Sequence, residues 1–206
     1  MVEERTAQAD AEIIAAVLDG DTEAFGRLVD RYREHVFRIV GRRVPGSEVE
    51  EVAQDVFVRA FTSLAGFEGR SPFEFWLSRI AVLACHDFWR RRYRSKEAPL
   101  SSLGEEHREW LRTTLADDSG SSQERTEERL MARDVLTRAL AGLSPADRTV
   151  IELVHLEERP VAEAAALLGW SAVNVKVRAH RARRKLKAII ERMSRESIRD
   201  GRASGG

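Results

Sequence analysis

The sequence predicts an all-α protein: two helical domains joined by a flexible linker, the second containing a helix-turn-helix. Three observations lead there. Apolar residues recur at helical spacing along most of the chain, strand signals are scarce, and one long polar stretch rich in Gly and Ser divides the pattern in two. With 206 residues and 43% hydrophobic content, the chain can bury packed cores in one domain or two small ones.

Residues 1–10, MVEERTAQAD, read as an N-terminal tail and are too polar for a secretory signal. The first domain, 11–95, opens on Ile13, Ile14, Val17 and Leu18. Phe25, Leu28, Val29, Tyr32, Val36, Phe37 and Val40 then mark a second helix. Gly20-Asp21 breaks the two apart, with Asp21 or Thr22 as the next N-cap. VPGSE at 44–48 is a turn with Ser47 as a cap. A third helix over 49–64 turns Val52, Val56, Phe57, Ala60, Phe61 and Leu64 inward and leaves Glu50, Glu51, Gln54 and Asp55 outside. FEGRSP at 67–72 is a loop. From Phe73 a long helix carries Trp76, Leu77, Ile80, Leu83 and Phe88 into the basic end Arg90-Arg91-Arg92, with Trp76 read as core. Cys85, the single cysteine, has no internal disulfide partner and sits among apolar neighbours as a buried thiol.

Composition then changes. Residues 96–125 contain Pro99, paired serines, Gly104 and the run DDSGSS, and they read as a linker with at most one short helix around 105–115. Roughly 28 such residues stretch to ~90 Å, or to ~30 Å as a coil, so the domains can engage distant sites. The second domain, 126–193, begins with a helix through Leu130, Val135, Leu136, Ala139 and Leu140. Ser144 is the N-cap and Pro145 the first residue of the next helix, through Val150, Ile151 and Val154. Residues 194–206 read as a disordered tail.

The stretch 160–187, PVAEAAALLGWSAVNVKVRAHRARRKLK, is the helix-turn-helix. Pro160 suits a first helical position, and Val161, Ala164, Ala165 and Leu168 recur on one face. Gly169 supplies the positive φ of a helix end, Trp170 caps the small core between the helices, and Ser171 is the next N-cap. Val173, Val175, Val177 and Leu186 are among the apolar residues of the second helix, which leaves Asn174, Lys176, Arg178 and Arg181 for solvent or a groove. Lys176, Arg178, Arg181, Arg183, Arg184, Lys185 and Lys187 meet no acidic residue along this run.

Charge is segregated rather than absent. The 34 basic and 34 acidic residues cancel to zero, yet acidic groups dominate 48–55 and 124–128 while basic groups dominate 90–96 and 176–187. Such blocks predict separate surfaces for separate partners, one of them polyanionic. No apolar run approaches the ~20 residues that span a bilayer, so a cytoplasmic protein without membrane insertion is expected.

In order and spacing, these motifs resemble the extracytoplasmic-function sigma factors of the sigma-70 family, the two-domain initiation subunits of bacterial RNA polymerase. GDTEAFGRLVDRY resembles the opening of the family's first domain, and EEVAQDVFVRAF its polymerase-binding helix. FEGRSPFEFWLSRIAVLACHDFWRRR is similar to the promoter-melting and downstream-element segment. LSPADRTVIELVHLEERPVAEAAALLGWSAVNVKVRAHRARRKL resembles the upstream-element domain.

The resemblance implies a factor that binds core RNA polymerase, through the beta-prime clamp and the beta flap, and directs initiation by recognising minus-10 and minus-35 elements and melting DNA. Clamp contacts would fall on Glu51, Gln54 and Asp55. Gly69, Arg70 and Ser71 would form the pocket for a flipped base, since a Gly turn lets backbone approach the nucleotide and unstacking costs only a few kcal/mol. Arg79, His86, Asp87, Trp89 and Arg90 would face the single strand and duplex edge. The upstream set would be Ser171, Asn174, Lys176, Arg178 and Arg181 near base edges, with Arg183 and Arg184 nearer phosphates. The linker, with Asp117 and Asp118, would thread toward the polymerase active centre. An anti-sigma partner is also implied, and no cofactor or metal.

Two positions depart from the family pattern. Leu83 stands where members usually carry Asn, and a leucine neither donates nor accepts a hydrogen bond, so the family's base choice at that position does not carry over to this chain. Asn174 replaces the usual Thr, and its amide can still contact a base or phosphate. An enzyme is disfavoured: His35, His86, His107, His155 and His180 are scattered, and no second histidine joins His155, Glu157 and Glu158 at ligand spacing. The alternative is a helix-turn-helix regulator acting without polymerase, which would need neither FEGRSPFEFW nor the motif over 50–57.

Overall fold

The computed structural model describes residues 2–94, 135–136 and 138–203. The linker expected at 96–125, its short helix, Asp117, Asp118 and Leu130 lie outside the described residues. The described secondary structure is helical throughout, and the chain divides into two compact units, Met1–Phe88 and Trp89–Gly206.

In the first unit, α1 (Val2–Leu18), α2 (Phe25–Gly41), α3 (Val49–Ser63) and α4 (Phe73–Arg94), whose last residues from Trp89 on belong to the second unit, are joined by short 3-10 turns. The first half of α1 replaces the expected tail. Asp10 is the reason: it is 4% exposed and accepts hydrogen bonds from Arg31 and, at 2.5 Å, from the Tyr32 hydroxyl, which pins the middle of α1 onto α2. Burial, together with that carboxylate, drives the Tyr32 hydroxyl well above its usual range. Phe25, Leu28, Tyr32, Val36, Ile39 and Val40 form the buried stripe of α2. Val52, Ala53, Val56 and Ala60 of α3 and Leu77, Ala81, Ala84 and Cys85 of α4 complete the core.

Ser47 does not cap α3. The chain enters through the turn Gly46–Glu48 after an extended Pro45, and no side chain bonds the first amides of α3. Phe61 is 37% exposed rather than inward, meeting Phe25 edge to face at 5.1 Å from the outer end of the stripe.

In the second unit, helical residues at 135–136 and 138–141 lead to α5 (Pro145–Ile151), a π-turn at Glu152–Leu156, α6 (Val161–Leu168) and α7 (Ala172–Ala203). Leu140, Leu143, Ile151 and Ala182 form a buried cluster flanked by Leu136, Leu186 and Ile189. Gly169 adopts φ 67°, its N–H bonds Ala166 and the N–H of Trp170 bonds Ala165 at 3.0 Å, so α6 ends in a Schellman motif. Pro160 takes the N-cap position, so the helix starts at Val161, one residue later than expected. The helix α7 continues to Ala203, beyond the boundary expected at 193. Its extension is tied back by the Ser194 hydroxyl donating to the Ile190 carbonyl and by Arg195 donating to the Glu191 carbonyl.

Candidate nucleic-acid and partner interfaces

On α3, Glu51 and Gln54 are exposed and Asp55 is half-buried. Val58, 55% exposed, continues the same stripe one turn on. Asp55 is not free for a partner: Arg59 donates from Nε to Oδ1 at 3.0 Å, and a terminal guanidinium nitrogen forms an ion pair with Oδ2 at 2.8 Å. The same guanidinium reaches Asp87 of α4 at 2.9 Å. The bond to Asp55 is the largest influence on Arg59, and with Asp87 it holds the guanidinium above its ordinary pKa despite burial. Sequence spacing pairs Asp55 with Arg59 as i,i+4, but the link to Asp87, 28 residues on, is visible only in the fold.

The loop before α4 is held by aromatic packing. Phe67 lies 5.6 Å from Phe73 and 5.1 Å from Trp76, and Phe73 lies 5.4 Å from both Trp76 and Tyr32. Trp76 is therefore part of the support under the loop, as expected, though only half-buried. Above it, Gly69 has φ 69°, the left-handed region that favours glycine, and Arg70 is exposed and pairs with Glu68 at 2.5 Å. Ser71 is half-buried.

Along α4, Arg79, His86, Asp87 and Arg90 share a face by their i, i+7, i+8, i+11 spacing. Arg79 and Arg90 are exposed, while His86 and Asp87 are half-buried and lie 3.7 Å apart. Trp89 departs from the sequence expectation. It is 7% exposed, with the Arg148 guanidinium 3.9 Å over its ring inside the second unit, and so presents no face for a base to stack on. Leu83 is half-buried.

In the helix-turn-helix, Ser171 spends its hydroxyl as the N-cap of α7, accepting from the Asn174 amide at 3.2 Å. Val175, Ala179 and Ala182 are buried, and Asn174, Lys176, Arg181, Arg183 and Arg184 are exposed. Arg178 is turned inward instead. It donates to Asp147 of α5 at 2.8 Å, and its guanidinium lies 5.4 Å from the Trp170 ring centre. Lys185 donates to the other oxygen of Asp147 at 2.7 Å.

Asp147 is thus an anchor that sequence reading missed. It is the N3 residue of a capping pair: its amide donates to the Ser144 hydroxyl at 3.3 Å, and the S-x-x-D spacing was the available signal. Burial alone would raise its carboxyl, but the bonds from Lys185, Ser144 and Arg178 outweigh that and hold it below the usual carboxylate range. A second correction follows from helix geometry. Val173 and Val177 are 72% and 44% exposed, because valines two apart fall on opposite sides of a helix and only Val175 can join the core.

Among the described residues no helix is long and apolar enough to cross a membrane, and no cluster of three metal-ligating side chains occurs.

Comparison with known proteins accounts for this arrangement. Residues 28–95 match the family model described as sigma-70 region 2, and residues 133–186 match the model for sigma-70 region 4. The chain belongs to the extracytoplasmic-function RNA polymerase sigma factors of the sigma-70 family, which bind core polymerase and promoter DNA and direct promoter-specific initiation. It is 33% identical to the RNA polymerase sigma factor CnrH of Cupriavidus metallidurans, over 89% of this chain and 95% of that one. It is 29% identical to the ECF RNA polymerase sigma-E factor of Escherichia coli, over 90% of this chain and 96% of that one. CnrH, solved in complex with the cytosolic domain of CnrY, superimposes with a TM-score of 0.51 at 28% identity, covering 89% of this chain and 97% of that one.

Proposed function

We propose that the two units divide promoter recognition between them. The first docks on the polymerase clamp through the exposed Glu51 and Gln54 of α3, and captures a base flipped from the downstream element at Gly69, Arg70 and Ser71. Arg79 and Arg90 of α4 steady the adjoining strand and duplex edge. The second lays α7 in the major groove of the upstream element, with its outermost line, which includes Arg184, toward base edges and with Asn174, Lys176, Arg181 and Arg183 on its flanks toward the phosphates. Asp55, Asp87 and Arg178 act by holding these helices, and Ser171 by capping one. The observation that carries the reading is the α7 surface, which exposes Lys176, Arg181, Arg183 and Arg184 within its first four turns while Arg178 locks the helix onto α5.

The chain works without catalysis of its own, in the cytoplasm where polymerase and promoter are. The likeness to CnrH, solved with the cytosolic domain of CnrY, supports an anti-sigma partner for this chain as well. The test is reconstitution. The full chain added to core polymerase should confer specific start sites on genomic DNA. Glu51→Ala with Gln54→Ala should lower core affinity while leaving thermal stability within ~0.5 kcal/mol, as surface changes do. Failure of the full chain to form a start-selective holoenzyme would refute the proposal.

A further inference from the structure

The outermost line of α7 is apolar, not cationic, at its N-terminal end. At about 100° per residue, the buried Val175, Ala179 and Ala182 define the inner direction, and Val173, Val177 and Arg184 lie roughly opposite them. Lys176 and Arg183 fall on one flank of that line, Asn174 and Arg181 on the other. A helix seated in a major groove points its apex at base edges and its flanks at the two phosphate walls. Cations on both flanks match those walls. Two valines, 72% and 44% exposed at the N-terminal end of the apex, match the single apolar feature of the groove floor, the thymine 5-methyl group.

A surface chosen only for solubility would not put β-branched residues there, because valine is a weaker helix former than the Lys or Arg around it. Resting on the upstream-groove reading above, we infer that Val173 and Val177 are specificity-determining residues: they select A·T pairs in the upstream element by packing against thymine methyls, while the flanking cations supply sequence-independent grip.

The experiment uses holoenzyme reconstituted from core polymerase and the full chain, on a promoter mapped by sequencing its own transcripts. Upstream-element thymines are replaced by deoxyuridine, which removes only the methyl. Wild-type affinity should fall about three- to fivefold per contacted thymine, the equilibrium equivalent of one lost buried methyl contact. Val177→Ala and Val173→Ala should bind thymine DNA about as weakly as wild type binds uracil DNA, and should lose further affinity little on substitution. Both sites are exposed, so the variants should melt like wild type.

Wild-type indifference to the methyl, an upstream element built only of G·C pairs, or alanine variants that keep full methyl sensitivity would each overturn the inference. So would a Val177→Ala chain that binds DNA normally but loses affinity for a protein partner. Arg181→Ala and Arg184→Ala separate the two levels. If they weaken binding to both DNAs while the valine variants do nothing, only the valine assignment falls. If they too leave binding unchanged, the upstream-groove reading falls with it.

Discussion

Replacing Asp147 by alanine should loosen α7 without touching any residue proposed to face DNA. The carboxylate is 4% exposed and receives Arg178 at 2.8 Å and Lys185 at 2.7 Å. A charge-assisted bond to a buried carboxylate contributes about 1.5–3 kcal/mol. The Lys185 side chain is 61% exposed, so screening leaves its pair only ~0.2–1 kcal/mol. Removing the carboxylate also removes its own desolvation cost, which offsets part of the loss. A net destabilisation of about 2 kcal/mol remains. Two units need not melt as one transition, so peptide-resolved hydrogen exchange is the suitable assay. Amides of α7 should exchange about thirtyfold faster while those of α2 stay unchanged, at 1.4 kcal/mol per decade. Arg178→Ala should behave similarly, and the double variant should cost little more than either single one, since both break one clamp. Unchanged α7 protection in Asp147→Ala would refute the clamp. An Arg178→Ala chain that loses upstream DNA binding at full α7 protection would show that Arg178 reads DNA instead.

The same carboxylate sets a pH dependence. Its folded pKa is depressed relative to an unfolded value of ~3.9, so its contribution is present above that value and is lost as pH falls through the folded one; Asp147→Asn should flatten that acid limb in a pH series of α7 exchange. Arg59→Ala should destabilise the first unit by about 1.5–3 kcal/mol, read by exchange of α3 and α4 amides, because it leaves Asp55 and Asp87 without their shared cation. Leu77→Ala, at a site with 0% exposure, should cost ~2–5 kcal/mol in the same assay. Gly169→Ala should cost about 1–2 kcal/mol of second-unit stability by placing a Cβ at φ 67°.

Local chemistry was legible in the residues. Ser144 with Pro145, Gly169 and Ser171 each act as their spacing indicated, because caps and turns depend on neighbours in sequence. Helical stripes at i, i+3, i+4 and i+7 located α2 and α3 for the same reason. What escaped needed tertiary partners. Asp10 draws residues 2–10 into α1 only because Arg31 and Tyr32 lie opposite it. Arg178 looked like an outward cation until Asp147, 31 residues earlier, claimed it. Trp89 stood in a basic run, and the Arg148 guanidinium that stacks over its ring comes from 59 residues on. The valines at 173, 175 and 177 were grouped by type, where helical phase would have split them.

Arg59 has a consequence for how such a protein can change. One guanidinium fastens α3, the helix proposed to meet the polymerase, to α4, the helix proposed to meet the nucleic acid, as a cross-brace fastens two posts. Retuning either face by mutation drags on the other through that brace. Variation in promoter choice is therefore expected to settle in loops and outward side chains, while Asp55, Arg59 and Asp87 change together or stay put.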